Sequence, residues 1–362
     1  MKFFAKQSTS LRGAAGSKTQ PERCDSHAIA LEQNAYYRAK IEAMQSQLAS
    51  NPMVPNQLPP NQGAATQSAT DQVQGTREQK PVVDISNPFN DSVRRHMFEA
   101  LWTAVKENHL ERFYDAVGVR SLVEKHAPFY PAVQSLCRQW RVEHLTSDFF
   151  KVVLYDVVFL CSDGATMDTE ERMDEAKASV QYLTEILLHM YGGSTDGGVK
   201  IRFVNSSYEH DNLQTSKDVE NLFAQITKKK GENTVPNALK DKIVNQLVKG
   251  PMKRQSLSKP VLAIVLVDET CASDELLAIM KDVSAETIAY SFGQVGTHRA
   301  VVELFRAVVK HSKFHVDCTE NYDLVSKSFE KCGAGDMAPE LWISKLALGP
   351  IDASYKGLAE DD

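Results

Sequence analysis

The chain has no C-x-x-C pair among its six cysteines, Cys24, Cys137, Cys161, Cys271, Cys318 and Cys332. Scattered in this way they argue against a zinc ribbon and against a secreted disulfide scaffold, and most read as reduced, small packing residues. No apolar run reaches the roughly 18 residues of a membrane span, and the N-terminus "MKFFAKQSTSLRG" lacks an apolar core of signal-peptide length. The expected location is therefore intracellular and cytoplasmic, with no membrane span. Neither sign of charge dominates: 41 Lys and Arg against 47 Asp and Glu give a formal net charge of −6. That balance gives no general attraction to nucleic acid, and no nucleic-acid partner is expected. No G-x-x-x-x-G-K-[ST] occurs, and no G-x-G-x-x-G follows a strand pattern, so nucleotide binding has no support. The Gly-rich "YGGSTDGG" (Tyr191 to Gly198) follows a helical pattern and reads as a turn.

What is present falls into regions of different texture. Residues 1–86 include a Pro-, Gln- and Asn-rich stretch with few large apolar residues, the composition of a disordered segment. One short amphipathic helix is expected inside it, at about residues 28–49, where Tyr37, Ile41, Met44 and Leu48 share a face. Residues 87–150 read as a helical extension. Phe98, Leu101, Val105 and Leu110 form one stripe, and Pro88 with Asn90 or Asp91 marks the helix start. From 151 to 352 strand and helix patterns alternate. "VVLYDVVFLC", "VKIRFVN", "PVLAIVLVD", "TIAYSFGQVG" and "FHVDCT" read as strands separated by amphipathic helices. Residues 353–362 form an acidic tail. The pattern predicts an α/β fold, a doubly wound and mostly parallel sheet with a helical N-terminal extension. Ligands of such sheets bind beyond the carboxyl ends of the strands. "FLCSDGATM" (Phe159 to Met167) and "VDETCAS" (Val267 to Ser273) lie at two of those ends.

These stretches carry a family resemblance. "YDVVFLCSDGATMDTEERMDEAK" resembles the first metal-binding turn of a von Willebrand factor A (vWA) domain, whose pattern is D-x-S-x-S. "IRFVNS", "VLAIVLVDE", "SFGQVGTHRAVVELF", "VDCTENYD" and "PELWISKLALGPIDASY" are similar, in order, to later segments of fungal vWA proteins. The resemblance covers roughly residues 90 to 356 and implies the Rossmann-like vWA fold. It also implies a metal-ion-dependent adhesion site, with departures. Alignment puts Ser162 at the family's aspartate, Gly164 at its first serine and Thr166 at its second. Thr234 lies in a shortened second loop, and Asp268 holds the third-loop aspartate, followed by Glu269 instead of glycine. The face formed by Ser162, Asp163, Gly164, Thr166, Thr234 and Asp268 is thus the candidate ligand-binding face, a degenerate metal site.

Mg²⁺ prefers carboxylate oxygens and near-octahedral geometry, so loss of the first carboxylate and of one hydroxyl predicts lost or weakened binding. The expected function is a non-enzymatic protein-interaction module with an unidentified protein partner and no cofactor. One alternative is weak, Mg²⁺-dependent binding through a shifted site using Asp163. Another is a hydrolase of unknown type. S-D-G-A-T invites comparison with the D-x-D-G-T turn of haloacid-dehalogenase phosphatases, but Cys161 or Ser162 stands where their nucleophilic aspartate would be. A Cys/His pair would need Cys161 or Cys271 beside His210 or His298.

Overall fold

The computed structural model describes residues 91–169, 172–192, 198–226, 234–311, 315–331, 339–352 and Tyr355. The expected disordered region with its helix at 28–49, and the acidic tail apart from Tyr355, lie outside the described residues.

The helical extension consists of α1 (Ser92–Glu107), α2 (Ala116–His126) and α3 (Tyr130–Gln139). Asp91 starts α1 by accepting the backbone N–H groups of Val93 and Arg94 at 2.7 and 3.4 Å, two of the orphan donors at a helix start. Phe98, Leu101, Val105 and Leu110 are all buried, although α1 ends at Glu107. The sheet strands are β1 (Asp156–Cys161), β2 (Val199–Phe203), β3 (Glu209–Leu213), β4 (Val261–Val267), β5 (Ile288–Gln294) and β6 (Val316–Thr319). The longer helices among them are α4 (Arg172–Met190), α5 (Ser216–Gln225), α6 (Leu239–Lys249, with π-type turns), α7 (Ser273–Lys281), α8 (Arg299–His311), α9 (Tyr322–Lys331) and α10 (Pro339–Leu348).

The strand order is β3-β2-β1-β4-β5-β6, with every neighbouring pair parallel except β2 and β3. The chain winds outward from β1 in one direction and returns to place β4 on its other side. The crevice between the carboxyl ends of β1 and β4 is therefore the topological switch point, where such sheets bind ligands. The two central strands are apolar at consecutive positions because both sheet faces are covered. Val157, Phe159 and Cys161 of β1 join Leu262, Ile264 and Leu266 of β4 in one core, with residues of α4, α5 and α10. Val158 and Leu160 join Val261, Ala263, Val265 and Val267 in the other, with residues of α6, α7 and α8.

Two details differ from the sequence reading. The first strand begins at Asp156, because Phe150–Leu154 form a 3₁₀ turn whose apolar side chains are buried and so read like strand. The edge strand β3 carried no signal, since Glu209, His210, Asp211 and Asn212 are exposed. It is held in part by Arg202 of β2, whose buried guanidinium pairs with Glu209 at 3.0 Å and Asp211 at 2.5 Å. The helical extension shares one core with the sheet, with Met97, Leu101, Val119 and Val133 in the same cluster as Phe159 and Ile264. The Tyr114 hydroxyl donates to the Leu154 carbonyl at 2.6 Å, and Asn108 Nδ2 donates to the Ile351 carbonyl at 2.8 Å.

That shared core contains a pH-sensitive joint. His126, at the end of α2, is fully buried, with Nδ1 2.8 Å from the Met190 carbonyl and its ring edge-on to Tyr191. Burial pushes its pKa down from 6.5 to about 4; the Met190 carbonyl opposes that shift, and Lys125 and Lys259 add to it. A depressed folded-state pKa means the unfolded chain takes up a proton first. Stability is then fully present above about pH 6.5 and falls as pH drops from 6.5 to 4, by on the order of 3 kcal/mol. Denaturant melts at pH 7 and pH 4.5, for wild type and His126→Phe, should show a smaller loss in the variant. Equal losses would remove His126 from the acid response.

Candidate functional site

The strand β1 ends at Cys161, and the next residues turn across the top of the sheet. Ser162 is buried and its backbone N–H continues the ladder to the Leu266 carbonyl at 3.0 Å. Asp163, fully buried, turns away from β4. Its Oδ1 accepts the backbone N–H of Asn205 at 2.7 Å and Asn205 Nδ2 at 3.2 Å, while Oδ2 accepts the backbone N–H of Ser206 at 2.7 Å. The same loop is held from its other side by Lys242, whose ammonium donates to the carbonyls of Phe203 at 2.5 Å and Ser206 at 2.7 Å. Burial lowers the Lys242 pKa, and the Asp163 carboxylate acts against that shift. Asp163 is thus a latch for the loop leaving β2.

Gly164 precedes a 3₁₀ turn, Ala165–Asp168, that brings Thr166 over β4. A Cβ added at Gly164 would lie 3.7 Å from Thr166 Oγ1, ordinary contact, so a side chain fits there. Thr166 Oγ1 donates to Asp268 Oδ2 at 2.6 Å. Asp268 follows β4 directly and is 2% exposed. The second group on that oxygen is a guanidinium: Arg172 Nη1 lies 3.6 Å from Asp268 Oδ2, with both side chains largely out of solvent.

Arg172 is the first residue of α4. A cation there faces the positive end of the helix dipole, an unfavourable position unless a carboxylate offsets it. Gly296, at φ +71°, makes room for the side chain, since a Cβ there would sit 2.3 Å from Arg172 Nε. One turn further along α4, Glu175 Oε2 accepts the backbone N–H of Gly296 at 2.8 Å and Asn321 Nδ2 at 3.2 Å. Burial raises the Glu175 pKa; those two bonds and the Arg172 charge pull the other way. Gln294 Nε2 donates to the His298 carbonyl at 2.9 Å. The carboxyl ends of β1, β4 and β5 and the residues after β6 therefore share one polar layer.

The sequence-predicted residues divide accordingly. Thr166 and Asp268 are brought into contact, and Ser162 and Gly164 stand on the same turn. Asp163 points to another loop. Thr234 is exposed and caps the helical turn Val235–Ala238, accepting the Asn237 backbone N–H at 3.4 Å. Arg172, Glu175 and Gly296 were missed, although a basic residue in the first helical turn, where acids are preferred, was a readable signal for Arg172. Among the described residues, no group of three or more His, Cys, Asp or Glu side chains converges as a metal-ligand cluster. None of the described helices is long and apolar enough to cross a membrane.

The thiols weighed as nucleophiles are shifted against that role. Burial raises the Cys161 pKa and pushes that of Cys271 up to about 12, whereas reactive cysteines have lowered values. His210 lies on the exposed strand β3, and His298 is exposed in the loop after β5.

No protein-family profile matches the chain, and no curated protein does. Solved structures with a similar fold include the SpRpn10 VWA domain, at 8% identity and a TM-score of 0.33, covering 49% of this chain and 94% of that one. Proximal thread matrix protein 1 from the mussel byssus, in a structure described as having a zinc-occupied MIDAS motif, is similar at 16% identity and a TM-score of 0.34. That match covers 49% of this chain and 46% of the mussel chain, so this chain spans about half of that relative's length.

Proposed function

We propose that the chain is a non-enzymatic vWA-like module that binds another protein through the carboxyl-end face of its sheet, without a metal ion. The observation that carries this reading is the state of Asp268. It is the one carboxylate at a position matching the family's ligands, and its Oδ2 already accepts Thr166 and faces Arg172. A hard divalent cation is usually held through carboxylates. The local donors are one paired carboxylate, the hydroxyls of Ser162 and Thr166, and a guanidinium, so the residues present do not fit Mg²⁺. The shifted-site alternative requires Asp163 as a ligand, yet each of its oxygens accepts a backbone N–H of the loop after β2. The hydrolase alternative has no lowered-pKa thiol to use at Cys161 or Cys271.

Above the polar layer the loop tips are available for contact: Glu269, Thr270, Thr297 and His298 are exposed. Affinity capture with the full chain as bait, in chelator and in Mg²⁺, tests the reading. The expected result is the same partner under both conditions, lost from a Glu269→Arg, His298→Glu variant. Capture only in Mg²⁺ would favour the metal-dependent alternative, and capture unaffected by the loop variant would move the binding surface elsewhere. Generic ester and phosphate substrates should show no turnover.

A further inference from the structure

We propose that Arg172 is the resident cation of this face, occupying by charge the role a divalent ion would otherwise take and excluding one even when the missing oxygen ligands are supplied. The inference rests on the metal-free reading and goes further, because it names the residue that bars the metal. Three observations converge on it. Arg172 Nη1 lies 3.6 Å from Asp268 Oδ2, in a pair whose side chains are 10% and 3% exposed. The side chain passes Gly296, where a Cβ would sit 2.3 Å from Arg172 Nε, so the glycine leaves room for it beside the strand ends. Finally, the cation sits at a helix N-terminus that favours anions, and the Asp268 carboxylate offsets that cost.

The consequence concerns the variant that sequence alignment suggests. Restoring the family's ligands with Ser162→Asp and Gly164→Ser should be insufficient. A Mg²⁺ ion bonds carboxylate oxygen at about 2.1 Å, which on Asp268 would set it beside a guanidinium of like charge in a water-poor site. Removing that charge should admit the ion. Arg172→Met keeps an unbranched stem along Gly296 and deletes the cation.

Titration calorimetry with MgCl₂ and MnCl₂ on the full chain compares three proteins. Wild type and the Ser162→Asp, Gly164→Ser double variant are expected to be silent. The triple variant that adds Arg172→Met should bind at least about tenfold more tightly than the double, the scale of removing one nearby like charge. Equal binding by double and triple variants, or a folded triple variant that stays silent, would overturn the assignment while a silent wild type leaves the metal-free reading standing. Binding by wild type would overturn both. Should the triple variant fail to fold, thermal melts decide the matter. Arg172→Met should lower the midpoint by stranding Asp268, and adding Asp268→Asn should recover most of the loss. Losses that simply add would show that the pair is not coupled.

Discussion

Val265→Asp should abolish folding. Val265 is fully buried in the fourth of six strands in spatial order, with Leu160 on one side in β1 and Phe292 on the other in β5. Its side chain enters the core formed with α6, α7 and α8, a cluster of aliphatic and aromatic residues. A carboxyl group placed there loses its hydration without a partner, whether it stays charged or takes up a proton. Such burial, added to the lost valine contacts, costs upwards of about 4 kcal/mol against a total stability of roughly 5–15 kcal/mol. The variant should appear in the insoluble fraction with no cooperative melt. Val265→Ala, which only opens a small cavity, should fold with a loss of about 1–3 kcal/mol. A soluble Val265→Asp protein with an unchanged midpoint would mean that β4 is not central.

The second large effect is expected at Asp163. Alanine there removes a carboxylate that accepts two backbone N–H groups and one side-chain amide, and it takes from Lys242 one of its two nearby negative charges, leaving Glu209. Hydrogen bonds to charged groups contribute about 1.5–3 kcal/mol each, and stranding a buried partner adds to the loss. A decrease of about 3–5 kcal/mol, on the order of 10 °C in melting midpoint, should follow. Asp163→Asn retains one acceptor oxygen but turns an amide N–H₂ toward a backbone donor, so its loss should be intermediate. Both losses should be the same with and without Mg²⁺, because the carboxylate serves a loop. A midpoint within about 2 °C of wild type for Asp163→Ala would contradict the latch. A loss that appears only in Mg²⁺ would return Asp163 to the list of metal ligands.

The fold was largely legible because its signals are strong and local. The burial of both sheet faces wrote itself into continuous apolar runs at β1 and β4, and the amphipathic helices between the strands fixed a mostly parallel sheet. What escaped had a physical reason. The edge strand β3 is polar because its residues face solvent, and its ordering depends partly on Arg202, a partner distant from it in type and pattern. Val152 to Leu154, the end of the Phe150–Leu154 turn, were read as strand because burial, not backbone geometry, determines their composition.

The site was legible only in part. Alignment identified Thr166 and Asp268 as neighbours, and they touch. Asp163 entered only through a shift of register by one residue, and its carboxylate is instead held by the loop after β2, because successive side chains leaving a strand turn to opposite sides. Thr234 was matched by residue type, yet its hydroxyl caps a helix, the commoner use of a threonine before an apolar helical turn. Arg172 was overlooked because the pattern being matched contained only oxygen donors. Its partner Asp268 lies 96 residues away in the chain, a pairing that only the folded sheet reveals.

Thermal melting of the unmodified full chain, in chelator and in about 10 mM Mg²⁺ or Mn²⁺, tests the central claim most directly. A site with a Kd of about 1 mM would add about 1.4 kcal/mol under those conditions, a rise of a few degrees. With Arg172 already on Asp268, the predicted result is the same midpoint in every condition. A metal-dependent rise that Asp268→Ala abolishes would contradict the account.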